Sequence, residues 1–401
     1  MVDIQAICDF HRTTDHHNSL KKRPEVARIY RTNHELVAET RRRAQDVTVL
    51  GTSVDGSPIV VARGGGDKTP AIFITAGSHS TEHAGVSAAV QLIDELDTDH
   101  QLYVIPTRDP VGLNGFHHAL GLGLGGRPDF DDFDQLEEIL RGAGKVLFED
   151  DDLLLVLIGE YGYASARPIQ SNGFEEGDVR FRAGPRQKNP QGYGYGRMRQ
   201  IHRDQPEILA PLLGRRVYQP AGQIGVEGTN QFDRAYTLIV SLEGEILHIN
   251  RFHDTAWSPV EPRVTRQFLD DIRPGISFDL HESAGMDDRF WLSARKQPDP
   301  ESQQWEEKAA TATIRAIAAS GVSLASIEDA PSTWFDMPEQ AVFWLDATRR
   351  GEGFNLMDWC SRTYGLAFGT EMGMFATFDD RVDMAQTTVR TAVSIFEERF
   401  A

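Results

Sequence analysis

The chain has 401 residues, of which 40% are hydrophobic and 25% are charged, and this composition is typical of a globular protein rather than a disordered or fibrous one. Its 60 acidic and 41 basic residues give a net charge of −19, which argues against nucleic acid and anionic membrane surfaces as partners. The only cysteines, Cys8 and Cys360, exclude a disulfide framework and a cysteine-rich metal cluster, so His and carboxylate side chains would have to hold any metal. Without a signal-peptide pattern or a membrane-length apolar run, we expect a cytoplasmic protein.

The first hundred residues predict a helix, a hairpin and a βαβ unit. Helical periodicity covers 24–46, and two strand patterns then meet at an Asp55-Gly56 turn, which is a strong hairpin signal. A β-rich apolar run follows and changes to a helical pattern from about Glu82. A strand pattern at 101–106 comes directly after that helix. The order strand, helix, strand predicts a parallel pair of strands.

Residues 115–215 interrupt this alternation. They contain glycine-rich and acidic segments, a helical pattern at 133–142 and an apolar run at 153–159. We therefore predict that 115–215 is an insertion or lid within a single hydrolase domain spanning 1–401.

The alternation resumes after the insertion. Strand patterns and helical patterns follow one another at 237–249, 260–273, 276–282, 301–319, 366–373 and 380–399. The predicted fold class is α/β, with a mixed, largely parallel twisted sheet flanked by helices.

His79 and Glu82 lie where a strand gives way to a helix. A His and a carboxylate three residues apart can converge on one metal ion if the His lies on the loop before the helix. Zinc is the natural ion for such ligands.

A second strand predicts a third ligand. His281 lies at the C-terminal end of the strand ISFDLHE, and Asp279, two residues earlier, shares its strand face and could orient the imidazole. Another strand ends at Glu371. Because the carboxyl ends of parallel strands meet at one edge of a sheet, two His residues, a carboxylate ligand and a separate Glu base would gather there, which is a hydrolase pattern.

Taken together, these segments resemble the zinc metallocarboxypeptidases of the carboxypeptidase A type, a superfamily that includes the aspartoacylase and succinylglutamate desuccinylase deacylases. The resemblance extends, in order, over the segments LGTSVDGSPIVV, ITAGSHSTEHAG, VIPTRDPVGLNGF, WSPVEPRVTRQFLDDIRPGISFDLHES and MDWCSRTYGLAFGTEMG. It implies that His79, Glu82 and His281 bind Zn²⁺, and that Glu371 is the general base that activates water for attack on an amide carbonyl.

The resemblance also implies residues that recognise the substrate. In the family an Arg stabilises the oxyanion, and an Asn-Arg pair binds the substrate carboxylate. Arg216, or its neighbour Arg215, could serve the oxyanion, and Asn230 with Arg234 could bind the carboxylate. Gln231, rather than Arg, directly follows Asn230, which departs from the family pattern.

Two further positions complete the comparison with the family. The mobile Tyr of the family has no counterpart in the segment that holds Arg349, Arg350 and Phe354, so its role is either lost or supplied from the insertion. Met357 falls near the position that lines the specificity pocket and would favour an apolar side chain.

Three alternatives stay open at this stage. His79–His83 also spells the inverted zincin signature, in which His83 would be a ligand and Glu149 the candidate third ligand. The substrate could be a small N-acyl amino acid rather than a peptide with a free C-terminus. A non-catalytic relative that binds peptides is the third alternative. Metallocarboxypeptidase activity is the predicted function, with a peptide or small acyl-amino-acid as the substrate.

Overall fold

The computed structural model describes residues 27–166, 190–221, 230–283, 288–327, 336–346 and 353–401. Within these ranges the strands are β1 Asp46–Thr52, β2 Pro58–Gly65, β3 Lys68–Ala76, β4 His100–Ile105, β5 Lys145–Glu149, β6 Leu153–Ile158, β7 Tyr161–Ala166, β8 Arg216–Pro220, β9 Ala235–Val240, β10 Ile246–His248, β11 Ile276–Ser283, β12 Phe290–Arg295, β13 Asp336–Glu339, β14 Val342–Leu345 and β15 Leu366–Gly373. The helices are α1 Asn33–Arg43, α2 His83–Glu95, α3 Pro110–Leu113, α4 Phe116–Leu124, α5 Phe133–Ala143, α6 Pro190–Asp204, α7 Val260–Ile272, α8 Pro300–Ala319, α9 Leu356–Thr363 and α10 Phe378–Glu398.

Nine strands form the larger sheet, in the order β1-β2-β4-β3-β11-β15-β12-β14-β13. The central strands β4, β3, β11 and β15 run parallel to one another, and antiparallel pairs adjoin them on both sides. The sheet is therefore mixed, with its parallel strands gathered at the centre, and the predicted fold class is confirmed.

Helices cover both faces of this sheet, because its central strands are apolar on both sides. On β3, Ile72 and Ile74 pack into the cluster that includes α2, α8 and α10, whereas Phe73 packs toward α7 and α9. This double coverage leaves the carboxyl ends of the central strands as the place where polar side chains can collect.

Six strands form a second sheet, in the order β10-β9-β8-β7-β6-β5. One of its faces packs on α4 and α5, and the other packs on α6. Helix α5, Phe133–Ala143, corresponds to the helix predicted at 133–142. The sheet continues past residue 215 to His248, because β8 and β9 pair within it. The insertion at 115–215 and the single domain at 1–401 stay predictions.

The segment 237–249, where the sequence predicts that the strand and helical patterns resume, forms the antiparallel pair β9 and β10 of the second sheet. A tight turn at Gly244, with φ of +88°, reverses the chain between them. Among the described residues, no helix is both long enough and apolar enough to cross a membrane.

Candidate metal centre

The candidate centre is built at the carboxyl ends of the central parallel strands. His79 lies on the loop between β3 and α2, and Glu82 directly precedes α2. His281 lies near the end of β11, and Glu371 is its register partner on the parallel strand β15. The residues predicted from three separate segments therefore meet at one edge of the sheet.

A glycine makes the loop that carries His79 possible. Gly77 follows β3 with φ of +59°, and a Cβ atom at this position would lie 2.7 Å from Thr107 Oγ1. The Gly77 carbonyl also accepts hydrogen bonds from the backbone amides of Arg108 and Asp109, just beyond β4. Glycine is required here both for the left-handed backbone and for the close approach of the neighbouring chain.

Three side chains offer converging ligand atoms. His79 Nδ1 lies 2.6 Å from Glu82 Oε1, and His281 Nδ1 lies 2.9 Å from Glu82 Oε2. One ligand atom from each of the three residues lies within 4.8 Å of the others. Two imidazole nitrogens and one carboxylate are the donor set of a catalytic zinc site that keeps a fourth position open, so these residues fit a zinc ion.

The charges at the centre suit a cation. Burial would by itself raise the pKa of Glu82, but the charges of His79 and His281 outweigh it and lower the pKa. Glu82 is therefore held as the carboxylate, which is the form that binds a metal.

His281 is held from its other nitrogen. Its Nε2 lies 2.9 Å from Asp279 Oδ2, so the predicted contact with Asp279 is present. The same oxygen accepts hydrogen bonds from Arg108 Nη2 at 2.5 Å and from Asn250 Nδ2 at 3.0 Å. Although burial opposes ionisation, Arg108 and His281 keep the pKa of Asp279 well below its usual range. A buried, ionised carboxylate thus orients one predicted ligand.

His79 is held differently. Its Nε2 lies 3.0 Å from Nδ1 of His248, which ends β10 of the second sheet. The ring centroid of Tyr236, on β9, lies 5.4 Å from that of His79. The second sheet therefore contributes side chains to the surroundings of the candidate centre.

Glu371 has the environment of a strong carboxylate base. Burial raises the pKa of Glu371 to about 8, and the carboxylates of Glu82 and Asp279 add to the rise against the opposing charges of His281 and Arg251. A base with a pKa near the working pH transfers protons efficiently.

The predicted oxyanion residues lie in other contacts. Arg216 is buried, and its Nη2 donates to Glu261 Oε2 at 2.7 Å, which ties it to α7. Arg215 donates to the carbonyl of Gly159 and pairs with Glu160, in the turn between β6 and β7. Neither guanidinium is brought together with the three predicted ligands by these contacts.

The predicted carboxylate-binding pair also lies in other contacts. Asn230 is exposed, and its backbone amide donates to Asp233. Arg234 is buried and donates to the backbone carbonyls of Asp233 and Tyr30. Met357 packs in the apolar cluster beneath α9. Arg349 and Arg350, from the segment in which the Tyr of the family has no counterpart, lie outside the described residues.

Sequence reasoning missed an adjacent Asn-Arg pair, Asn250 and Arg251, which lies in the short helical turn after β10. Asn250 bridges Arg108 and Asp279 behind His281. Arg251 is partly exposed, and its charge acts on Glu371. The only signal in the sequence is the pair of consecutive letters N and R shortly after a predicted strand, and the packing of the second sheet brings that pair to the centre.

The inverted zincin alternative does not agree with this geometry. His83 is the first residue of α2 and is not among the three converging ligands. The third ligand in that alternative, Glu149, lies on β5 and pairs with Arg141. His79 precedes the helix, so the motif is not on one helical face, which that signature requires.

No protein-family model matches the sequence, and no curated protein matches it. Among solved structures, the chain is similar to the metallo-carboxypeptidase of Burkholderia cenocepacia, with a TM-score of 0.45 and 11% identity, covering 92% of this chain and 70% of that one. It is similar to the metallo-carboxypeptidase of Pseudomonas aeruginosa in complex with (2-guanidinoethylmercapto)succinic acid, with a TM-score of 0.43 and 13% identity, covering 91% and 68%. Bovine thrombin-activatable fibrinolysis inhibitor, in complex with tick carboxypeptidase inhibitor, has a TM-score of 0.44 and 9% identity, covering 93% and 99%.

Proposed function

We propose that this chain is a zinc-dependent hydrolase of amide or peptide bonds that removes the C-terminal residue of a peptide. The observation that carries the proposal is the convergence of His79, Glu82 and His281, with Glu371 opposite His281 in the register of β11 and β15. The chemistry that zinc supplies when bound is polarisation of a carbonyl group and acidification of water.

In this proposal His79, Glu82 and His281 hold the ion. His79 contacts one carboxylate oxygen of Glu82 and His281 contacts the other, so the ligand atoms of the three side chains already lie close together. The neighbours Asp279 and His248 restrain the two rings from behind. Such restraint keeps the donor atoms in place and reduces the entropy lost when the ion binds.

Glu371 acts as the proton carrier. It takes a proton from the attacking water and delivers it to the nitrogen of the departing amine, as a general base and then a general acid. Its burial and the nearby carboxylates raise its pKa to about 8, so the ionised carboxylate binds a proton more strongly than an ordinary Glu does.

We assign recognition of the substrate carboxylate to Arg251 rather than to Arg234. Arg251 is partly exposed and acts electrostatically on both Glu371 and His248. A guanidinium can bind a carboxylate through two parallel hydrogen bonds. Arg234, in contrast, is buried against backbone carbonyls of Asp233 and Tyr30.

The test is hydrolysis of a matched pair of peptides, one with a free C-terminus and one amidated, by the zinc-loaded protein. Faster cleavage of the free peptide, with release of single C-terminal residues, supports the proposal. Equal rates on both peptides contradict the exopeptidase assignment. Cleavage of small N-acyl amino acids alone would identify a deacylase, and zinc binding without turnover on any of these substrates would identify a binding protein.

A further inference from the structure

We infer that His248 of the second sheet is a positioning residue for His79 and sets how tightly the candidate centre binds its metal. The inference rests on the proposed function, because it assigns His79 to the metal. It concerns a residue that the sequence did not single out, contributed by a sheet separate from the one that carries the three ligands.

The geometry fixes the roles of the ring nitrogens. His79 Nδ1 faces Glu82, on the side where the ligand atoms converge, and His79 Nε2 faces His248 Nδ1 at 3.0 Å. An imidazole that gives its Nδ1 lone pair to a metal carries its proton on Nε2. His79 therefore donates that proton to His248 Nδ1, and His248 carries its own proton on Nε2.

His248 is itself held rigidly. It is 4% exposed and ends β10, where its register partner is Leu238 of β9. Its ring lies 6.1 Å from that of Tyr236 and 5.8 Å, edge to face, from that of Tyr195 on α6. Aromatic neighbours on separate elements leave the His248 ring little freedom to turn away from His79.

The two ligand imidazoles are therefore supported unequally. His281 donates to a buried carboxylate, Asp279, whereas His79 donates to a neutral imidazole. Hydrogen bonds to an ionised acceptor are stronger than those to a neutral one, and a stronger acceptor makes the donating imidazole a better ligand. His79 is thus the weaker of the two nitrogen ligands, and the nature of residue 248 controls how weak it is.

The experiment compares zinc dissociation constants, measured by chelator competition on metal-free folded protein, for the native chain and His248→Leu, His248→Asn and His248→Asp. Asn places an acceptor near the position of Nδ1, and Leu removes it while keeping an apolar side chain. We expect Leu to weaken zinc binding about 10–100-fold, which is the usual effect of losing such a partner. Asn should remain much closer to native, and Asp should bind zinc more tightly than Asn.

The Co²⁺-loaded variants give a second readout, because a change in ligand strength at His79 shifts the visible absorption of the ion. His100→Asn is the matched control: His100 is a buried histidine on β4 that contacts the carbonyl of Pro70, and its replacement should leave the zinc affinity unchanged.

Native-like zinc affinity in His248→Leu would overturn the inference, because residue 248 would then not affect the metal. Equal losses of affinity in the Leu and Asn variants would also overturn it, because the hydrogen-bond acceptor at residue 248 would then have no effect. If the Leu variant does not fold, equal affinities of the Asp and Asn variants would overturn it. Absence of zinc binding by the native chain would instead contradict the proposed function, so the two failures are distinguishable.

Discussion

The carboxylate of Glu282 accepts a hydrogen bond from the backbone amide of Ala84 at 2.7 Å. Glu282 directly follows His281 on β11, and Ala84 is the second residue of α2, which begins just after Glu82. The contact therefore holds the strand that carries one predicted ligand against the helix that follows another. Arg381, from α10, contacts the second oxygen of Glu282 and is fully buried.

We expect Arg381→Met to lower the free energy of unfolding by about 3–5 kcal/mol, because it leaves the buried carboxyl group of Glu282 without its ion-pair partner. Urea denaturation of the metal-free protein measures this. Arg390→Met is the control on the same helix: its partially exposed pair with Glu95 should contribute only about 0–1 kcal/mol. Equal costs for the two variants would show that Arg381 does not stabilise Glu282. The double change Arg381→Met with Glu282→Gln should recover part of the loss.

Replacing Glu371 with Gln should leave zinc binding intact and reduce kcat by about 10²–10⁴-fold, because the variant loses the proton carrier and keeps all three ligands. Steady-state kinetics on a cleavable peptide, together with elemental analysis, measure both properties. Glu149→Gln, on β5 and paired with Arg141, should behave as the native protein. Near-native turnover in Glu371→Gln would refute the assignment of the base.

Elemental analysis of purified variants discriminates between the two zinc-site hypotheses. We expect His281→Ala to lose zinc, because it removes one of three converging ligands, and His83→Ala to retain it. Loss of zinc in His83→Ala alone would restore the inverted zincin alternative. Because His83 is buried at the start of α2, circular dichroism should first establish that its variant is folded.

Arg251→Gln should raise KM for peptides with a free C-terminus about 10–100-fold, since a hydrogen bond between two charged groups contributes about 1.5–3 kcal/mol. Amidated peptides lack the carboxylate and should lose much less. Arg215→Gln is the matched control, because that guanidinium contacts Gly159 and Glu160, in the turn between β6 and β7. A loss of the same size on both peptides would contradict the assignment of Arg251 to the substrate carboxylate.

Asp109 predicts a pH dependence of stability. Burial raises the pKa of its carboxyl group to about 7, whereas an unfolded chain ionises Asp near about 3.9. Between these pH values Asp109 is protonated in the folded state but ionised in the unfolded state. The stability that this proton contributes is therefore fully present below about pH 4 and is lost as the pH rises through about 7. The free energy of unfolding should therefore fall with rising pH, by at most about 1.4 kcal/mol per unit from this group.

Asp109→Asn should flatten this dependence relative to the native protein, as measured by denaturation at several pH values. Asn keeps the oxygen that accepts hydrogen bonds from the Gly112 amide and from Thr237 on the second sheet. Asp299→Asn serves as the control, because hydrogen bonds from Ser302 lower the pKa of Asp299 and no histidine among the described residues is its partner. That variant should run parallel to the native protein between about pH 5 and 7, and a parallel Asp109→Asn curve would contradict the prediction.

The residues that sequence reasoning located well share one property: each is defined by its position at a strand end. His79 follows an apolar strand, and His281 and Glu371 lie near the ends of two others. Periodicity identifies the strands, and parallel pairing brings their carboxyl ends to one edge. No long-range contact had to be known in advance. The same reasoning could not reveal that Arg216 donates to Glu261, because that partner lies 45 residues away on α7.

The sequence by itself determined the α/β class, the helix α5, the central strands β3, β4, β11 and β15 and the candidate ligand set, because local periodicity and strand order carry that information. Only the tertiary structure decided which polar side chains surround the ligands. His248 reaches His79 across 169 residues, and Asn250 reaches Asp279 from the second sheet to the first. These contacts arise where the two sheets pack together, and side chains that meet through packing have no fixed spacing along the chain by which they could be found.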